Sequence, residues 1–462
     1  MRRAFLTLAA FLAVSAPQLH AANYVYLLTG QSNSLGAVKG SPATPGQLER
    51  YASGGMLWNG NMVRDTGECF EKNPAWVRVE PQLPRYTALC MGPEYGFAHM
   101  MQRRGWHAGN GDKVYIIKAS LDGGGNSYWL PDGAAWKSLT GTLHRAMGAL
   151  KGRTSMPCLL YLQGESDKGE EIAKAAVRFA DLHKRLRKEA AKHHTASLRF
   201  AVVGECATWS GRETTDDRGR TSAGQMRQMA AADSSVGWVR TRDLSKISSG
   251  DNMGVHYDGK SQLTIGARYA YAVARLEKLP VCCARSDDAA ALLSTPGAWW
   301  SGKAPGAGDV LVWDMAAANA EDKLGRDMSV AGVRVEDPFA GGVVVAAGAR
   351  QETLRVGARG IELEEGDLTL HCALEVAGGQ TWRLAAGRKL AVGSPSKPVE
   401  LKGRARIVLA GAPDAVVELH CANVSQVEWA PGTGGPVLRA TIAGKPATLT
   451  PAGAVYKLAP AP

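Results

Sequence analysis

Tyr24-Val-Tyr-Leu-Leu-Thr-Gly-Gln-Ser-Asn-Ser-Leu-Gly36 is an apolar run that stops abruptly at a small polar loop, and the loop carries a hydroxyl at Ser32. The same grammar recurs twice. Val114-Tyr-Ile-Ile117 leads into Lys118-Ala-Ser-Leu-Asp-Gly123-Gly124-Gly125-Asn126, and Leu159-Leu-Tyr-Leu162 leads into Gln163-Gly-Glu165-Ser-Asp167. Buried strands that each end in a polar loop are the pattern of an α/β sheet built from crossover units, whose ligands sit at the carboxyl edge of the strands.

Further strands are expected at Leu198–Val203 and Gly237–Asp243, and helices at Glu94–Arg104, Ala134–Lys151, Glu171–Lys192 and Ser261–Lys278, the last stopped by Pro280. Residues 37–91, rich in Gly and Pro with little periodicity, read as a long excursion bordering the site. The organisation that follows is a leader over 1–22, an α/β domain over 23–280, a linker over 281–297 and an all-β module over 298–462. In that last part strand alternation replaces helical periodicity, as in Val310-Leu-Val-Trp313, Asp367-Leu-Thr-Leu370 and Ala415-Val-Val-Glu-Leu419, with Gly or Pro punctuating the runs. A β-solenoid is the favoured architecture for it, and a β-sandwich of carbohydrate-binding type is the alternative.

The leader has Arg2 and Arg3, an apolar stretch Ala4–Ala16 and small residues at Ala21-Ala22, the layout of a secretory signal. The protein is therefore expected to be secreted or periplasmic, with a cell-surface location also open. No later apolar run is long enough to span a bilayer. The formal net charge of +11 falls by the two charges of Arg2 and Arg3 when the leader is removed. Much of the remainder lies on the helical stretch after Glu171, where Lys174, Arg178, Lys184, Arg185, Arg187, Lys188 and Lys192 alternate with an apolar stripe. That is a solvated helix face; no aromatic interleaving or base-reading motif accompanies it, so nucleic acid is not an expected partner.

Eight cysteines are too sparse for a disulfide scaffold. Cys69 with Cys90 and Cys372 with Cys421 are candidate bridges, and Cys158, inside a strand, is a candidate buried thiol. The dipeptides His371-Cys372 and His420-Cys421 do not make a metal site, because neighbours on a strand point to opposite faces. No cofactor is implied.

Chemistry is expected where the loops meet. A fourth polar loop, Asp251-Asn-Met-Gly-Val-His256-Tyr-Asp, lies between the last strand and the last helix. A serine becomes a competent nucleophile when a base takes its proton, and His256 is the histidine best placed to do so for Ser32. Backbone N–H groups of Ser32 and of Gly123 or Gly124, with the Gln163 side-chain amide, are candidates for an oxyanion hole. Ser32 alone would read as a helix cap; the accompanying loops turn the reading to catalysis. Ser166 lacks the Gly-x-Ser-x-Gly elbow of α/β-hydrolases, and Gly123–Gly125 lacks the Gly-Lys-Ser/Thr ending of a phosphate loop.

Gly30-Gln-Ser-Asn33, Gly92-Pro-Glu-Tyr-Gly-Phe97, the Gly123-Gly124 loop leading to Trp129, Gln163-Gly-Glu-Ser-Asp167 and the His256 block, in this order, resemble the sialate O-acetylesterase and carbohydrate acetyl esterase branch of the SGNH hydrolases. The resemblance spans residue 23 to about residue 279. It implies a flavodoxin-like three-layer α/β/α domain, no metal, Ser32 as nucleophile, His256 as base, and removal of acetyl groups from an acetylated glycan. Gln31, Asn33, Asn126 and Trp129 are the candidate substrate contacts, with Trp129 equally readable as core packing. The chain departs from the family at one place: Met253 occupies the position three before the histidine where many relatives have Asp. Glu165 is the favoured acid behind His256, Asp251 is the alternative, and a simple dyad is the third arrangement. The Met253 departure also motivates a competing reading, a surface carbohydrate-binding protein whose hydrolase domain is catalytically impaired. In the β-rich part, Gly378-Gly-Gln-Thr-Trp-Arg-Leu-Ala-Ala-Gly-Arg-Lys-Leu390 resembles the strand repeats of autotransporter passenger domains, and the module is a candidate for glycan binding or surface association.

Overall fold

A computed structural model describes residues 22–36, 51, 54–63, 66–79, 91–107, 111–193, 197–207, 221–247, 254–336, 342–431, 435–452 and 455–460. Seven strands form the first sheet: β1 (Asn23–Gly30), β2 (Met56–Asn59), β3 (Trp76–Arg78), β4 (Lys113–Ser120), β5 (Thr154–Leu162), β6 (Ser197–Gly204) and β7 (Val236–Val239), in the order β3-β2-β4-β1-β5-β6-β7. All neighbours are parallel except β2 and β3. β1 lies between β4 and β5, with Gly30 in register with both Ser120 and Leu162, so the three loops that follow emerge side by side. Both faces of these strands are buried, which is why they read as continuous apolar runs.

The helices are α1 (Ser32–Leu35), α2 (Glu94–Arg103), α3 (Ala134–Gly148), α4 (Ala175–Ala191), α5 (Ser222–Ala232) and α6 (Gly259–Leu276). α2 and α6 pack backbone to backbone: a Cβ at Gly96 would lie 1.8 Å from the Leu263 carbonyl oxygen, and one at Gly266 would lie 1.9 Å from that of Pro93. The expected helix from Glu171 is interrupted at Lys174, leaving a single turn Glu170–Ala173 before α4. Three elements were not expected from sequence. β2 and β3 lie inside the Gly- and Pro-rich excursion, and α5 follows β6 with Thr221 as its cap, its hydroxyl accepting from the Gly224 N–H at 3.0 Å. The strand expected over Gly237–Asp243 ends at Val239; Asp243 instead turns its carboxylate to Arg268.

From Val310 onward the chain is a large β-rich region in which the strands between Val310 and Ile442 pair with one another in parallel. Leu311, Val333, Ile361, Trp382 and Leu409 pair in sequence across successive strands and form one buried column. Val345, Leu370, Val392 and Leu419 form a second, and Leu354, Leu374 and Leu401 a third. Antiparallel strands Lys445–Ala452 and Val455–Pro460 close the far end.

This ladder explains why the candidate bridge between Cys372 and Cys421 is not formed: both are buried free thiols. Leu374 pairs with Leu401, and Val399, two residues earlier, pairs with Cys421, so a whole strand separates the two cysteines. Two ladder steps span about 9–10 Å, beyond the ~4.4–6.8 Å between the Cα atoms of a disulfide. Cys69 is also a free thiol, and Cys90 lies outside the described residues. Cys158 is the buried thiol expected, and burial pushes its pKa up.

Side-chain bonds tie residues 281–297 to the β-rich region. Arg285, fully buried, binds Asp322 at 2.7 Å and the Ala298 carbonyl at 3.1 Å. Beside it, Tyr271 of α6 stacks on Trp300 with ring centroids 5.4 Å apart, and Arg104 binds Asp314 at 2.6 Å and Glu336 at 2.8 Å. Arg268 of α6 holds Asp243 through two bonds of 2.8 and 2.6 Å and donates to the Ala316 and Ala317 carbonyls at 3.1 and 3.0 Å. The β-rich region is thus bolted to the helix pair that flanks the sheet. No helix among the described residues is long and apolar enough to cross a membrane.

Candidate functional site

At the carboxyl edge of β1 the chain must turn sharply beside β5. Gly30 has φ of +137°, and a Cβ there would lie 1.9 Å from the Leu162 carbonyl oxygen, so glycine is required. The Gln31 side chain makes no cap bond to α1. It reaches sideways instead, its Oε1 accepting from Gln163 Nε2 at 2.8 Å, Ser166 N at 3.1 Å and Gly164 N at 3.2 Å. The turn that carries Ser32 is thereby locked to the loop after β5.

Ser32 is 5% exposed and His256 9%, and His256 Nε2 lies 2.8 Å from Ser32 Oγ. The loop bearing His256 ends at Asp258, whose carboxylate caps α6 by accepting from Ser261 N at 2.8 Å. Burial lowers the His256 pKa below its usual value, and the Asp122 charge partly opposes that shift. A neutral imidazole within hydrogen-bond reach of a hydroxyl can take its proton. The sequence pairing of Ser32 with His256, separated by 224 residues, is thus brought together in space.

The other expected site residues are placed differently. Glu165 makes no hydrogen bond to His256: its Oε1 accepts from Asn33 Nδ2 at 2.6 Å. Burial raises its pKa to about 7, against the lowering effect of the Asn33 bond. Asp251 and Met253 lie outside the described residues. Among the described residues, Asp122 is the acid whose charge is felt at His256.

Gln163 is not an available oxyanion donor. Its Nε2 donates to Gln31 Oε1 and to the Gly124 carbonyl, both at 2.8 Å, and its Oε1 accepts from Trp129 Nε1 at 3.1 Å. A buried amide with its partners already met gains nothing by turning to substrate. The Ser32, Gly123 and Gly124 backbone N–H groups have no acceptor among the described residues. Trp129 is 2% exposed and belongs to the core beneath the loop rather than to a sugar platform.

Asn126 likewise turns inward. It donates to both carboxylate oxygens of Asp167, at 2.9 Å from its backbone and 2.8 Å from its side chain, and accepts from Arg178 at 2.8 Å. Asp167 also receives the Ser222 hydroxyl at 2.6 Å, and burial raises its pKa despite these donors. Arg185 donates to the Trp129 carbonyl at 2.7 Å. Arg178 and Arg185, read from sequence as a solvated face, therefore hold the Asn126–Trp129 turn. Ser166 Oγ accepts from Gln31 Nε2 at 3.1 Å, and this is its place in the network rather than beside a histidine. Among the described residues no group of three or more His, Cys, Asp or Glu is arranged to hold a metal ion.

Residues 22–275 match the family described as carbohydrate esterase, sialic acid-specific acetylesterase. Among solved structures, a protein from Arabidopsis thaliana is similar at 15% identity and a TM-score of 0.40, covering 55% of this chain and 98% of its own. NanS is similar at 13% identity and a TM-score of 0.41, with the same coverage of 55% and 98%. No curated protein matches the sequence.

Proposed function

We propose that this chain, which belongs to the sialic acid-specific acetylesterase family of carbohydrate esterases, is an extracytoplasmic serine esterase that removes O-acetyl groups from a glycan, sialic acid or an acetylated polysaccharide. The single observation that carries the reading is the 2.8 Å contact between Ser32 Oγ and His256 Nε2 at the carboxyl edge of the sheet. In the reaction, Ser32 Oγ attacks the acetyl carbonyl while His256 Nε2 takes the hydroxyl proton. The same nitrogen then gives that proton to the departing sugar oxygen, leaving acetyl-Ser32. Water, activated by the same imidazole, releases acetate and restores the serine. The Ser32 and Gly124 backbone N–H groups are the candidate oxyanion donors.

Turnover of a chromogenic acetate ester tests the reading. Ser32→Ala should abolish it, by about 10⁴-fold or more; equal rates in the two proteins would sink the esterase in favour of a glycan-binding protein. Acetate release from a panel of acetylated glycans would name the sugar. For the β-rich region we favour a parallel β-solenoid, supported by its three apolar columns, over a sandwich, whose strands would pair antiparallel. A role for it in glycan binding or surface display is tested by glycan retention of the Ser32→Ala protein.

A further inference from the structure

We infer that Asn33 is a positioning residue that grips the backbone on both sides of His256 and so sets the Ser32–His256 contact, with Glu165 bracing the gripping amide. This rests on the esterase reading above. Asn33 is fully buried. Its Oδ1 accepts from the Tyr257 N–H at 3.1 Å, and its Nδ2 donates to the Val255 carbonyl at 3.1 Å and to Glu165 Oε1 at 2.6 Å. The residue between the two grip points is His256, and the residue before Asn33 is Ser32. Nucleophile and base are therefore each one peptide from a shared side-chain clamp.

The chemistry of the clamp fixes its orientation. Tyr257 offers a donor and Val255 an acceptor, so the amide can sit only one way round. Its second N–H would be an orphan in this dry site without a carboxylate to receive it, which gives Glu165 a purpose that does not require touching the imidazole. The far side of the clamp is held as well: the Tyr257 hydroxyl and Thr241 Oγ1 are 2.6 Å apart, and Ile247 N donates to the His256 carbonyl at 2.8 Å. Aspartate at position 33 would lack both donors and would set its carboxylate against that of Glu165.

Steady-state hydrolysis of a chromogenic acetate ester, with thermal melts to check folding, tests the clamp. Asn33→Ala should lower kcat by about 10–100-fold with KM within about twofold, because a displaced base weakens the chemical step and not substrate binding. Asn33→Asp should fall at least as far. Adding Glu165→Gln to Asn33→Asp should recover about tenfold, since the introduced glutamine amide can donate to the introduced carboxylate. Glu165→Gln alone should lower kcat by less than Asn33→Ala does, because its amide oxygen can still accept from Asn33. Wild-type kcat in Asn33→Ala, a loss carried wholly in KM, or a double variant no better than Asn33→Asp would each overturn the clamp. So would a roughly 10⁴-fold loss in Glu165→Gln alone, the mark of an acid bonded to the histidine itself. If Asn33→Ala does not fold, the volume-conserving Asn33→Asp pair carries the same comparison.

Labelling of Ser32 by a fluorophosphonate separates the two hypotheses. Wild-type protein that labels readily and Asn33→Ala that labels at least tenfold more slowly would support the clamp even if no acetate ester is turned over. Equal labelling rates would overturn it.

Discussion

The two halves of this molecule bury opposite things. Beneath the loops of the α/β sheet lie Gln31, Asn33, Asn126, Gln163, Glu165 and Asp167, each 7% exposed or less and each bonded to another loop. The β-rich region fills the interior of its ladder with stacked Leu, Val, Ile and Trp, including a Trp382–Trp429 pair at 5.5 Å, and carries ion pairs such as Lys389–Glu418 at 2.6 Å on its outer face, the buried Arg285–Asp322 pair lying at the joint. A repeating apolar column tolerates local change, because each layer meets only its neighbours. A polar network is high-stakes, since one missing partner strands the rest. Preorganised chemistry is found on the costly side of that contrast.

The largest loss is expected at the site. His256→Ala should lower kcat by about 10⁴-fold in ester hydrolysis while leaving the thermal melt nearly unchanged; a modest loss would mean that Ser32 is activated by some other group. Next comes the joint between the halves. Arg268→Ala removes a buried guanidinium from Asp243 and from the Arg240, Ala316 and Ala317 carbonyls and should cost about 3–5 kcal/mol in urea unfolding. Independent unfolding of the two halves, with no change in the α/β transition, would show that the joint contributes little.

A smaller effect has a sign set by titration. Glu165 ionises near pH 7 in the fold against an ordinary value of 4.5, so the folded state binds the proton more tightly than the unfolded chain. Its contribution to stability is complete below about pH 4.5 and is lost as pH rises through 7. Glu165→Gln should therefore raise Tm relative to wild type at pH 8 and do so much less at pH 5. The pH–rate profile should rise with a midpoint below the ordinary 6.5 of histidine, because burial lowers the His256 pKa; Asp122→Asn should move that midpoint lower still. A midpoint above 6.5 would contradict this environment for the base. Smallest of all, Glu418→Gln on the outer face should change stability by less than about 1 kcal/mol.

The sequence carried the central strands, four of the long helices and the pairing of Ser32 with His256, because burial on both faces and helical periodicity are local signals. β2 and β3 escaped notice since each is short and set among Gly and Pro, and only their pairing to β4 and to each other makes them strands. α5 is not legible in the sequence because Ser222-Ala-Gly-Gln offers little apolar stripe.

Polar residues at strand ends stand out in the sequence, but which way they face is not a local property. Gln163 reads as an oxyanion donor, Asn126 as a substrate contact and Trp129 equally as a substrate contact or core packing; in the fold each is bonded to the framework, since their partners Gln31, Asp167 and Arg185 come from other elements. The amino-acid pattern by itself determined an α/β sheet, a β-rich second half and a serine and histidine delivered to one edge. Tertiary structure alone decided that Glu165 braces Asn33, that Cys372 and Cys421 lie a strand apart, and that the two halves share a buried joint. Those facts depend on hydrogen-bond partners and ladder register far apart in sequence, where no periodicity can reach.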